Sequence, residues 1–231
     1  MYKKAFTLAE VLITLSIIGV VAAVTVPTLM TNIEHQKTAV FLKKAHTVLN
    51  QATKMSTVDN GDYSIWDKDI EHEEFIKQYY APYMKVVKFC PTHQVCGYKE
   101  AAAWKNKTGY YSGFNYLSRL PFITEDGMLF SISIKGDDPN KDNGVTNNEV
   151  YDYKSISGSA IIVDINASKG PNRFGADTFM FIRNQDGLIM PMGYGLADSA
   201  IKQDCNKNGD GLYCAEYIRR NNWIAPDDYP F

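Results

Sequence analysis

From Val11 to Ile33 the chain carries no charged residue, and most of that run is Val, Ile, Leu and Ala. Wound as a helix at about 1.5 Å per residue, it is roughly 34 Å long, enough to cross a hydrocarbon core of about 30 Å. It is the longest apolar segment in the sequence, and it dictates the arrangement of everything else. Lys3 and Lys4 precede it, and positive charge on that side places the N-terminus in the cytoplasm and the residues after about 34 outside.

The remainder has the composition of an ordinary folded protein. The chain has 231 residues, 45% hydrophobic and 22% charged, which suffices for one substantial core or one core plus an appended element. With 24 basic against 26 acidic residues the formal charge is -2, and no arginine-rich stretch with interleaved aromatics occurs, so nucleic acid is not an expected partner. The four cysteines form two locally spaced pairs, Cys90 with Cys96 and Cys205 with Cys214. Two short-loop disulfides in an oxidising compartment are the simple reading. The competing one is metal ligation with His93 between the first pair, but that spacing lacks the paired CxxC of common zinc sites.

Three readings compete for the first thirty residues. A secretory signal peptide would find small residues for its cut at Val21-Ala22-Ala23, but Glu10 then lies uncompensated at the entrance to the apolar run. A plain signal anchor explains Glu10 locally, because Thr7-Leu-Ala-Glu10 has capping-box spacing and a carboxylate in the first turn complements the helix dipole. The third reading takes in the whole pattern: a short basic leader ending in the small residue Ala5, then Phe6-Thr-Leu-Ala-Glu10, then the uninterrupted apolar helix. This resembles the class III signal of type IV prepilins and type II secretion pseudopilins.

The resemblance implies cleavage by a prepilin peptidase between Ala5 and Phe6, methylation of the new amine, and a family glutamate at Glu10. Gly19 and Pro27 fall where many members carry a helix-loosening Gly and Pro. Ala5 stands where Gly is usual, and Ala9 where Ile is more common. Glu10 and the Phe6 amine would both lie inside a bundle of apolar helices in a filament, so the carboxylate is expected to pair with a neighbouring subunit's amine and fix axial register.

Beyond Pro27, Phe41, Ala45, Val48, Ala52 and Met55 recur at alternating steps of four and three with Leu49 beside them, an amphipathic continuation of the helix. The helix is expected from about Thr7 to Met55, bent or loosened at Pro27 and ended by Asp59-Asn-Gly-Asp62. Residues 63 to 127 show little periodicity apart from a short helix near Glu71 to Tyr80. Strand patterns follow at Met128–Ile134, Ser159–Val163, Thr178–Ile182 and Leu188–Met190, predicting three or four antiparallel strands. The resulting expectation is an α+β, pilin-like chain: leader 1–5, membrane and assembly helix 6–33, amphipathic continuation 34–57, and an extracytoplasmic domain 58–231 with a disulfide-closed C-terminal region. Residues 163–172 and 175–179 look like a DxNxxxGPN and GxDxF segment of pseudopilin-like chains, read as a polar turn joining two strands.

Two acidic loops are weighed as calcium sites. Asp138, Asn140, Asp142 and Glu149 occupy EF-hand positions 1, 3, 5 and 12, with the glycine one residue late. Asp204, Asn206, Asn208 and Asp210 have the glycine on time, with Glu216 one residue late. A solvated turn rich in Asp, Asn and Gly is the alternative for both, and no other cofactor is indicated. The sequence has no HExxH, GxSxG or P-loop spacing.

The reading is therefore a structural, non-enzymatic subunit of a type IV pilus or type II secretion pseudopilus. It would reside in the bacterial inner membrane before assembly and in a periplasmic or cell-surface filament afterwards. Its partners would be the peptidase, other pilin or pseudopilin subunits, an inner-membrane assembly platform and membrane lipid. The alternative is a membrane-tethered, calcium-dependent binding module that does not polymerise.

Overall fold

The computed structural model describes residues 7–107, 109, 114, 119–133, 160–183 and 187–231. One helix, α1 (Leu8–Asn60), runs without interruption from the apolar run into the globular region. Pro27 lies inside it and the helix continues past it; the ring removes only the amide that would have bonded to the Ala23 carbonyl. Gly61 ends α1 at φ 80°, where a Cβ would lie 2.6 Å from the Ile65 side chain. The Trp66 indole then donates to the Gly61 carbonyl at 2.8 Å and secures the reversal. α1 thus runs past Met55 and ends within the expected Asp59-Asn-Gly-Asp62 stop.

Its buried face is also rotated from the expected one. Ala39, Leu42, Ala45, Leu49, Ala52, Thr53 and Ser56 face the core, Phe41 and Val48 are half-buried, and Met55 is 54% exposed. Small residues at 39, 45, 52 and 56 let the sheet lie close to the helix axis. The bulkier Phe41 and Val48 flank that contact.

Short α2 (His72–Tyr79) packs Phe75, Ile76 and Tyr79 beside Trp66, whose ring stacks on Tyr79 at 4.5 Å. A six-stranded antiparallel sheet follows in sequence order: β1 (Val86–Phe89), β2 (Phe122–Thr124), β3 (Leu129–Ile132), β4 (Ala160–Asp164), β5 (Thr178–Arg183) and β6 (Ile189–Pro191). The last four correspond to the strands expected from the sequence. The first two come from the stretch without a period.

Register between β4 and β5 pairs Ile161 with Phe181, Ile162 with Met180 and Asp164 with Thr178. Ile161, Val163, Phe179 and Phe181 join the core beneath α1, whereas Ile162, Met180 and Ile182 join a second core on the opposite face. That second core is roofed by the Cys90–Cys96 loop with Tyr98 and Trp104, and by Phe174 and Leu212. The central strands are therefore apolar on both faces, which erases the alternation of a half-solvated strand.

Helices α3 (Asp198–Asp204) and α4 (Cys214–Arg220) complete the fold near the lower part of α1. On α4 the fully buried Glu216 is held by Arg219 at 2.6 and 2.8 Å and by Arg220 at 2.8 Å.

Candidate assembly site

Every described residue from Thr7 to Glu34 is exposed, and an 18-residue window of this segment has a mean hydropathy of 2.3 with none of it buried. Leu12, Ile18, Val24 and Leu29 are each more than half exposed although they lie on different sides of the helix. A helix apolar all round has no face to lay on its own domain and needs lipid or other apolar helices as its surroundings. Its hydroxyls fit that role, because each bonds to its own helix. Thr14 donates to the Val11 carbonyl, Ser16 to Leu12, Thr25 to Val21, Thr28 to Val24 and Thr31 to Pro27. No hydroxyl donor from Thr14 to Thr31 is left to be satisfied by water. Gly19 has open space where a Cβ would lie.

Glu10 closes a capping box with Thr7. The Thr7 amide and hydroxyl both donate to Glu10 Oε2 at 2.8 Å, and the Glu10 amide donates to the Thr7 hydroxyl at 3.3 Å. The helix thus begins where the sequence places its signal, and within one chain the carboxylate already has partners. Ala5 and Phe6 lie outside the described residues.

The domain takes hold of the helix immediately above this segment. His35 meets Tyr229 edge-on at 5.2 Å, Gln36 bonds to Ala225, and Lys44 pairs with Asp126 on the β2–β3 turn at 2.8 Å. Higher up, Asn50 imitates a further strand on the sheet edge: its Oδ1 accepts from the Ile189 amide at 3.0 Å, and its Nδ2 donates to the Ile189 carbonyl at 2.9 Å. His46 Nε2 lies 3.0 Å from the same carbonyl. The β6 edge is thereby closed to strand addition at Ile189.

The segment read as a polar turn between two strands is instead partly buried. Asp164 is fully buried, accepting from the Tyr98 hydroxyl at 2.8 Å, the Trp104 indole at 3.2 Å and the Asn166 amide at 3.3 Å. Asp177 accepts the Asn172 and Arg173 amides at 2.9 and 2.8 Å, and the Asn166 side chain donates to the Gly170 carbonyl. Burial, and secondarily the charge of Asp177, push the Asp164 carboxyl well above the usual range; burial raises Asp177 as well. These carboxylates tie the β4–β5 connection to the aromatic roof. The DxNxxxGPN and GxDxF patterns contain both carboxylates, but nothing local marks their burial, because the Asp164 partners Tyr98 and Trp104 lie at least 60 residues away.

Cys90 is bonded to Cys96 and Cys205 to Cys214, with Cα separations of 5.6 and 4.9 Å, so no thiolate at the first pair is left to join His93 on a metal. The loop of Asp138, Asn140, Asp142 and Glu149 lies outside the described residues. In the other acidic loop Asp204 Oδ2 accepts the Tyr213 amide at 2.6 Å, and burial pushes its carboxyl up to about 6. Asn206 Oδ1 accepts the Asn208 amide at 2.7 Å, while Asn208 and Asp210 lie in the turn that follows. Glu216 points into its two arginines. Among the described residues no group of three or more His, Cys, Asp or Glu side chains is placed to hold a metal.

A free apolar helix that opens on a capped glutamate and carries an α+β head defines a pilin-like subunit, and comparison with known families agrees. Residues 1–26 match the model of the prokaryotic N-terminal methylation motif, the cleavage and methylation signal of type IV pilins and pseudopilins. Residues 28–182, more than half of the chain, match the family of unknown function DUF6613, and the chain belongs to that family. No curated protein and no solved structure matches it.

Proposed function

We propose that this chain is a structural subunit of an envelope filament, a type IV pilus or a type II secretion pseudopilus. It is held in the inner membrane by α1, cut between Ala5 and Phe6 by a prepilin peptidase, and assembled through the same helix. The observation that carries this reading is the segment Leu8–Ile33: apolar on every side, unburied by the described residues of its own domain, and opening within the methylation motif. Leaving the bilayer, such a helix keeps its apolar surface from water by packing among copies of itself. Glu10 then meets a neighbour's Phe6 amine, and that pairing sets the step between subunits.

Mass spectrometry of the chain taken from membranes tests the processing: an N-terminus at methylated Phe6 is expected, and an uncut chain argues against it. Immuno-electron microscopy with antibodies against residues 58–231 tests assembly and separates long surface pili from short envelope-confined filaments.

One observation favours a second reading, a tethered binding module on a plain signal anchor. The Glu10 carboxylate is engaged by Thr7 of its own chain and needs no neighbour to be satisfied.

A further inference from the structure

A groove of about 580 Å³ lies where α1 leaves the apolar run, between its residues Thr31 to Phe41 and the β4–β5 connection, with Phe231 at one side. Its height follows from the helix. Ile33 is the last residue of the charge-free run, and the headgroup layer adds roughly 5 to 7 Å on each side of the hydrocarbon, about four residues of helical rise. Glu34 to Lys37 therefore stand among lipid headgroups when the helix spans a bilayer, and the groove opens at that level.

The charges in this groove divide into two groups. Asp126 is taken by Lys44, and Asp177 by two backbone amides. Glu34, Lys37 and Lys169 are exposed, line the same groove, and carry no ion pair among the described residues. Lys37 Nζ lies 5.9 Å from the centre of the Phe41 ring, which with Phe231 gives the groove an apolar wall. Two cations and one carboxylate without an ion pair among the described residues, beside an apolar wall, complement one phosphate and one primary ammonium attached to a hydrocarbon body.

We propose that this groove holds the headgroup of a phosphatidylethanolamine-type lipid while the subunit stands in the membrane. Lys37 and Lys169 receive the phosphate, Glu34 receives the ammonium, and the glycerol end lies along Phe41 and Phe231. The proposal rests on the membrane-anchored reading of α1. A subunit leaving the bilayer for a filament would have to release that lipid.

The full chain is reconstituted into nanodiscs of phosphatidylcholine alone, or with added phosphatidylethanolamine or phosphatidylglycerol, and native mass spectrometry counts retained lipid. One phosphatidylethanolamine per chain is expected, retained roughly tenfold over phosphatidylcholine, whose methylated ammonium has no N–H to give Glu34. Lys169→Glu should lower retention of both zwitterionic lipids by about tenfold, and Glu34→Gln should abolish only the preference between them. Unchanged melting temperatures in both variants keep the result a statement about binding. Equal retention of all three lipids, a preference for phosphatidylglycerol, or retention unaltered by Lys169→Glu overturns the proposal. Vesicle flotation separates the two levels: a chain that floats but retains no lipid sinks the site alone, and a chain that does not float sinks the membrane reading with it.

Discussion

Gln36 and Ala225 hold each other through two hydrogen bonds, although 189 residues separate them: Gln36 Nε2 donates to the Ala225 carbonyl at 3.0 Å, and the Ala225 amide donates to Gln36 Oε1 at 3.3 Å. This clamp sits three residues above the end of the apolar run and, with the His35–Tyr229 ring contact one residue below it, begins the grip of the head on the helix that carries it. Ala225 is 3% exposed, and without Gln36 its amide and carbonyl lose partners that water cannot readily replace.

Gln36→Leu should accordingly destabilise the head by about 1 to 2 kcal/mol and lower its melting temperature by roughly 2 to 8 °C. Thermal unfolding of the full chain in detergent measures it. A shift within error would mean that the clamp is dispensable.

The ring of His46 is stacked 6.0 Å from Phe181 and lies 5.0 Å from Trp223, with Arg219 and Glu216 of α4 as the charges that face it. Burial holds its pKa below the ordinary 6.5, so the unfolded chain binds a proton first. Its contribution to stability is complete above about pH 6.5 and is lost as the pH falls through the folded value. Asp204 works in the opposite direction: its carboxyl is raised to about 6, so the folded state takes the proton first and gains stability as the pH falls from 6 toward the ordinary 3.8. His46→Gln removes the first effect and leaves the second. Melting curves from pH 7.5 to 4.5 should therefore keep a constant offset between the two proteins above pH 6.5, and below it the variant should gain relative to the wild type. Parallel curves throughout would refute the assignment.

How much of this was readable in advance depended on the reach of each signal. The long helix α1 is a local matter: a charge-free run, a Thr7-to-Glu10 cap and a stop at Asn60-Gly61 each lie in consecutive residues. Cys90 with Cys96 and Cys205 with Cys214 are likewise neighbours in sequence. The rotation of the α1 core face was not legible, because Phe41, Leu42, Val48 and Leu49 give two overlapping apolar stripes that share Ala45 and Ala52, and only tertiary packing chooses between them. Nothing local marks β1 and β2, because both are very short and β1 exposes its two central residues, Val87 and Lys88. Asp164 looked like a turn residue because its partners Tyr98 and Trp104 are fixed by tertiary structure alone.

The two disulfides should contribute unequally. Cys205–Cys214 joins the end of α3 to the start of α4 within the main core, where Cys214 Sγ would lie 3.0 Å from a Cβ at Gly175. Cys90–Cys96 closes a loop in the roof of the outer core. Cys205→Ser/Cys214→Ser should cost about 2 to 4 kcal/mol, and the first pair less. Melting the two double variants side by side decides the order, and peptide mapping without reductant should find both bridges in protein from cells.

On the proposed reading of α1 as an assembly helix, Glu10 is the residue to test, because two physical roles for it make opposite demands on its neighbours. As a cap, it needs Thr7 and tolerates replacement by Gln, which retains an acceptor for the Thr7 amide. As the counter-charge of a buried amine in a filament, it needs the negative charge itself and is indifferent to Thr7. On the proposed reading, in which the apolar run with Lys3 and Lys4 sets topology and the peptidase reads the Ala5–Phe6 junction, insertion and cutting should survive every substitution here. If pairing governs, Glu10→Ala and Glu10→Gln should both reduce labelled filaments by roughly tenfold or more, while Thr7→Ala assembles almost normally. If capping governs, Glu10→Gln should assemble and Thr7→Ala should share whatever defect Glu10→Ala shows. Filament counts by immuno-electron microscopy, on strains whose subunit is inserted and carries a mature N-terminus at Phe6, choose between the two. Normal filaments from Glu10→Gln would end the pairing mechanism, because an uncharged amide cannot neutralise an amine buried at every subunit.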